Sequence, residues 1–129
     1  MQPYRIALFG ETEKGEYHAA YFCTQLEELV DYFGHPPVNS QGLYYAVQAL
    51  LYHRELIFFR VQEEGFSLED YLFGVRLLEK QAIIPQISAI CIPGVGNREI
   101  IQATLSLCTI YHSIIITTEA DLYDYLTAS

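Results

Sequence analysis

The chain has no tryptophan, a single methionine, and only 7 lysines and arginines against 16 acids. That shortage of cations leaves a formal charge of −9. Such a surface repels phosphate backbones, which speaks against nucleic acid as a partner, and it is equally unsuited to anionic membranes. Only three cysteines are present, Cys23, Cys91 and Cys108, each inside an apolar segment and none in CxxC spacing. This argues against a disulfide framework or a cysteine zinc site and implies reduced, packed thiols in a cytoplasmic protein. No apolar run approaches the roughly 20 residues that span a bilayer, and MQPYRIALFG lacks the basic region and cleavage site of a signal peptide. His18, His35, His53 and His112 show neither HExxH nor i, i+4 spacing, and there is no GxSxG elbow. From the residues alone, no catalytic group, no metal site and no cofactor are expected.

What the chain does have is apolar content. Hydrophobic residues make up 51% of 129 positions, enough for one domain, 1–129, with a substantial core. The 11 tyrosines suit half-buried positions at the margin of a core or in an interface. Short β-branched and aromatic runs predict strands at Tyr4–Phe9, Leu56–Val61, Ile87–Ile92 and Ser113–Thr117. HAAYFC, His18 to Cys23, reads as a short strand or as part of a loop. Between these runs the apolar spacing is helical. Thr24 with Glu27 opens a helix whose face is Leu26, Leu29, Val30 and Phe33. A second helix, Gly42 to His53, gathers Leu43, Val47, Leu50 and Leu51 with Ala46 beside them. Ser67 with Asp70 starts a third, with Leu68, Tyr71, Leu72, Val75 and Leu78 inward. A fourth runs from Asn97 to about Tyr111 with Ile101, Leu105 and Cys108 on one face, widened by Ile100, Ala103, Leu107 and Ile110. Thr118 with Asp121 caps a last helix bearing Leu122, Tyr125 and Leu126. Parallel strands need helical crossovers, so this order predicts an α/β three-layer sandwich, a mostly parallel sheet of four to five strands with helices on both faces. Ile90 and Leu105 are expected to be fully buried and Leu72 to pack on the sheet. Leu105→Ala would then cost about 2–5 kcal/mol.

In such a fold the loops at the carboxyl ends of the strands hold the site. Here they are Glu11-Thr12, Gln62-Glu63, Pro93-Gly94 and Thr117-Thr118. The turn PGVGN is the local candidate: Gly94, Gly96 and Asn97 could present backbone N–H groups to a phosphate at a helix start, and Arg98 would add charge. It lacks the third glycine of a dinucleotide fingerprint and the GK[ST] of a P-loop, so the competing reading is a tight turn with Asn97 as helix cap. Glu11, Glu13, Glu63, Glu64 and Glu119 are read as a solvated acidic rim; no aspartate pair follows the first strand and no lysine the last, which rejects a phosphoacceptor receiver. Arg60 within LIFFRV requires a partner, either Glu63-Glu64 at the sheet's end or a carboxylate elsewhere.

One family likeness follows from these segments. IALFG (Ile6 to Gly10), Gly15, the helix from Thr24 to Phe33-Gly34, LYYAVQALLY (Leu43 to Tyr52), FFRV (Phe58 to Val61) and ISAICIPGV (Ile87 to Val95) stand in the same order as the segments of a phage core domain. The chain resembles the core of contractile phage tail sheath proteins. Sheath proteins are several times longer and interlock through extended terminal arms, so the resemblance implies the α/β core alone, a structural role, no catalytic residues and no cofactor. The expected function is accordingly a non-enzymatic structural or protein-interaction module, its partner another protein or a further copy of itself. The alternative is a flavodoxin-like small-molecule or phosphate-binding domain that uses Gly94, Gly96, Asn97 and Arg98.

Overall fold

The computed structural model describes residues 5–80 and 87–128. They form β1 (Arg5–Gly10), β2 (Ala20–Cys23), α1 (Leu26–Phe33), α2 (Gly42–Leu51), β3 (Glu55–Arg60), α3 (Leu68–Lys80), β4 (Ile87–Cys91), α4 (Arg98–Tyr111), β5 (Ile114–Ile116) and α5 (Glu119–Thr127). Tyr4, where the sequence begins the first predicted strand, and Pro85 lie outside the described residues. The sheet is five-stranded in the order β2-β3-β1-β4-β5. β1 pairs in parallel with β3 and β4, and β4 with β5, as the four apolar runs predict. The HAAYFC segment supplies the fifth strand: β2 joins the edge antiparallel to β3.

β1 is central and buried on both sides, which is why RIALFG is almost unbroken apolar sequence. Ile6 and Leu8 face one hydrophobic cluster with Leu29, Phe33, Ala46, Ala49 and Leu122. Ala7 and Phe9 face the other with Tyr71, Val75, Leu78, Ile100 and Leu107. Helices α1, α2 and α5 thus serve one face of the sheet, and α3 and α4 the other. Ile90 is fully buried, as expected. Cys23, Cys91 and Cys108 are buried and unpaired, and burial pushes the Cys23 thiol up to about 12 and raises the other two.

Four helical faces differ from the predicted ones. In α4, Leu105 is 46% exposed and Ile110 also faces out, so the expectation of a buried Leu105 fails. The inward stripe is Ile100, Thr104, Leu107 and Cys108. Thr104 Oγ1 donates to Ile100 O at 2.8 Å, which satisfies the hydroxyl inside the helix and lets a nominally polar residue occupy the core side. In α2 the inward residues include Gly42, Ala46 and Ala49, small side chains that bring the helix close to the sheet, while Val47 and Leu51 are exposed. In α3, Gly74 lies against the Phe9 ring, so Tyr71, Gly74, Val75 and Leu78 form the inner row and Leu72 is only half-buried, outside the core cluster.

α1 shifts its cap by one residue. Glu28, not Glu27, folds back to accept from the backbone of Thr24 and Gln25 at 2.8 and 3.0 Å, and these bonds lower its pKa. Leu29 and Phe33 turn inward, while Leu26 and Val30 stay exposed. The caps at Asn97 and Thr118 form as predicted: Asn97 Oδ1 accepts from Ile100 N, and Thr118 Oγ1 from Asp121 N, both at 3.1 Å. Ser67 instead uses its hydroxyl on Glu63, accepting from its N–H and donating to its carbonyl.

Candidate functional site

The chain leaves β1 through α1 and α2 on one face, and crosses from β3 to β4 through α3 on the other. The carboxyl ends of β1 and β4 are therefore the switch point at which an open α/β sheet offers its crevice. That place is taken by the chain itself. Glu64, in the loop after β3, accepts from Glu11 N at 3.0 Å, Gln41 N at 2.6 Å and Gly42 N at 3.0 Å. Glu11 returns the bond, accepting from Glu64 N at 2.8 Å. The Glu64 carboxylate thus sits at the start of α2, the position an anionic ligand would favour. Burial raises its pKa above the ordinary glutamate value, although the three backbone N–H groups pull the other way. Gly42 makes the arrangement possible: a Cβ there would lie 2.6 Å from Gly10 Cα.

The rest of the loop closes over the same edge. Gly65 donates its N–H to Tyr71 Oη at 2.7 Å. A Cβ on Gly65 would fall 2.6 Å from Gly94 O. The PGVGN turn lies beyond, with Pro93 and Val95 buried and its two glycines at the surface. Gly94 takes φ 76° and Gly96 no positive φ, and neither has an atom within 4 Å of the place a Cβ would take. Gly94, Gly96, Asn97 and Arg98 are all exposed, and the Asn97 side chain is committed to its cap. The sequence-derived site residues come together as a turn with a capped helix.

The acidic rim divides. Glu11 and Glu64 bind each other's backbone, Glu13 accepts from His35 N at 3.1 Å, and Glu63 and Glu119 are exposed. Among the described residues, no group of three or more His, Cys, Asp or Glu side chains is placed to hold a metal ion. Arg60 finds its partners elsewhere than predicted. Its guanidinium donates to Gly15 O at 2.6 Å and Thr12 O at 3.2 Å, and lies 4.2 Å from the Tyr17 ring centroid. The loop after β1 curls its carbonyls around the cation, so no carboxylate is needed. His18 Nε2 lies 2.8 Å from Asp70 Oδ1, and Asp70 Oδ2 accepts from Gln62 N at 2.8 Å, which fastens the same loop to α3.

An open concave surface lies on the other side, between α1 and α2. Leu26, Leu29, Val30, Gly34, His35, Pro36, Leu43, Tyr44 and Val47 line an apolar groove of about 200 Å³. Its walls continue outward as a ridge in which Val30 is 59%, Tyr44 58% and Leu51 56% exposed. Periodicity assigned Leu26, Val30, Val47 and Leu51 to the core. The signal that would have separated them is the second row in α2, Gly42, Ala46 and Ala49, whose small side chains suit closer contact with the sheet than leucine or valine does.

Compared with family models, with curated proteins and with solved structures, the chain matches none. Among the described residues no helix is long and apolar enough to cross a membrane, so the exposed apolar ridge is not part of a spanning helix.

Proposed function

We propose that this chain is a non-enzymatic structural module acting through protein contacts, by self-association or by docking in a larger assembly, as its resemblance to the tail sheath core implies. The observation that carries this reading is the α1–α2 groove. A fold that buries Leu29, Phe33, Ala46 and Ala49 still leaves Leu26, Val30, Tyr44, Val47 and Leu51 exposed on adjoining helices. A contiguous apolar surface of this kind marks an interaction site. The groove is smaller than the roughly 300–1,000 Å³ of a small-molecule pocket, and it suits anchor side chains of another chain. The phosphate-binding alternative is opposed by Glu64, which takes the backbone N–H groups at the start of α2, and by Asn97, which caps the start of α4.

The test is photo-crosslinking in the native host with p-benzoylphenylalanine in place of Val47, compared with the same group in place of Glu79, an exposed residue on α3. The expected result is a discrete protein adduct from position 47, absent from position 79 and lost when Val30→Asp is added. Crosslinking at 47 no greater than at 79 sinks the proposal.

A further inference from the structure

We infer that the occupant of the α1–α2 groove is a basic amphipathic helix of a different protein, seated by aliphatic side chains and held by its lysines and arginines. This rests on the docking reading above and adds the partner's chemistry.

Charge decides it. From Gly15 to His53 the sequence holds no lysine or arginine, but it holds Glu16, Glu27, Glu28 and Asp31. Glu27 and Asp31 are exposed and stand four residues apart on α1, each one position after the groove residues Leu26 and Val30. At i, i+4 spacing they share one side of the helix, about 100° round from the row of Leu26 and Val30, and so flank the groove on its solvent side. Glu28 is engaged in the α1 cap. α2, GLYYAVQALL, carries no charge at all. At the far end, Lys14 is accompanied by Glu13, whose carboxylate accepts from His35 N.

An apolar trough with one acidic margin is complementary to a helix with an apolar stripe at i, i+3/i+4, i+7 and cations beside it. A second copy of this chain would bring acidic rim to acidic rim under a charge of −9 on each molecule, and like charges across an interface are disfavoured. An anionic membrane meets the same repulsion. The groove therefore selects by sign as well as by shape.

The test uses two fluorescein-labelled synthetic peptides with one amphipathic pattern, leucine with lysine and leucine with glutamate, titrated against the full chain by anisotropy. The leucine–lysine helix is expected to bind saturably and at least about tenfold more tightly than its leucine–glutamate counterpart. Backbone amide shifts should cluster at Leu26, Val30, Tyr44 and Val47. The double variant Glu27→Lys, Asp31→Lys should weaken binding about tenfold, and Val47→Ser should weaken it comparably through the apolar contact. Glu79→Lys on α3 changes net charge away from the groove and should leave affinity unchanged.

Equal binding of the two peptides, or equal loss with Glu79→Lys, overturns the inference. An in-cell adduct of twice the chain's mass also overturns it, because the occupant is then a second copy, while the docking reading survives. No binding of either peptide overturns the inference, and the Val47 crosslink then decides the docking reading separately.

Discussion

The loops after β3 and β4 each carry a left-handed glycine at the carboxyl edge of the sheet, Gly65 at φ 90° and Gly94 at φ 76°. Only the second stands out in the sequence, as PGVGN. In the structure their roles are exchanged. Gly94 turns in open space, with Asn97 capping α4 behind it. Gly65 packs against the Gly94 carbonyl, gives its N–H to Tyr71, and follows the glutamate that ties β1, α2 and its own loop together. A glycine-rich turn at a helix start is thus compatible with being only a turn. A plain acidic stretch, Glu63-Glu64, can fill the anion position of the fold from within.

The sharpest way to break the comparison is at Gly65. Gly65→Ala puts a Cβ at a positive φ, which disfavours a non-glycine residue by about 1–2 kcal/mol, and against a carbonyl oxygen, where overpacking adds about 1–3 kcal/mol. A loss of about 3 kcal/mol is expected in a denaturant titration; a loss below about 1 kcal/mol would mean that the two loops do not press on each other.

Glu64→Ala comes next, at about 2 kcal/mol, because backbone donors at Glu11, Gln41 and Gly42 lose their acceptor in a partly buried place. The pH dependence has a definite sign. The folded pKa of Glu64 is raised by burial, so the folded chain holds that proton more tightly than the unfolded chain does. Its contribution to stability therefore declines as pH rises from the ordinary glutamate value, about 4.3, toward the folded value. Glu64→Gln cannot titrate and should lack this component. An unchanged stability-versus-pH profile in that variant would contradict the assignment.

How much of this the sequence made legible depends on which side chains carried the signal. Apolar runs located the four parallel strands: β1, β3 and β4 are buried along most of their length, and the short, partly exposed edge strand β5 showed as a run of isoleucines between two helices. Asn97 and Thr118 were legible as caps because a cap is a local bond, two or three residues long. The helix faces were less so. Thr104 disguises the inward row of α4 by satisfying its hydroxyl within the helix, and the alanines of α2 disguise its inward row because leucine and valine dominate a hydrophobic count. The Glu11–Glu64 exchange was not legible at all. The two residues are 53 positions apart, and only the parallel pairing of β1 with β3 brings their loops together. The groove followed from the same misassignment: residues allotted to the core by period turned out to be its walls.

Gly94→Ala sharpens the comparison from the other side. Its φ is positive but no atom stands within 4 Å of the added carbon, so only the conformational part applies, about 1 kcal/mol. A loss as large as that of Gly65→Ala, measured under the same denaturant conditions, would show that the space beside Gly94 is not open.

The smallest effect is expected at Gly96, and it bears on the phosphate alternative. Gly96 has neither a positive φ nor a neighbour at its Cβ position. Gly96→Ala should leave stability within about 0.5 kcal/mol, the range of surface substitutions, and it combines with a ligand test because fold and ligand effects then separate. Inorganic phosphate and common nucleotides are expected to give no thermal stabilisation of either form. At the start of α4 the Ile100 N–H is already taken by Asn97, the start of α2 is taken by Glu64, and the chain carries −9. A ligand at 100 times its Kd would add about 2.7 kcal/mol, well within the reach of a thermal melt. A saturable upward shift in the wild type that Gly96→Ala abolishes would make PGVGN a phosphate site and reverse the assignment of roles between the two loops.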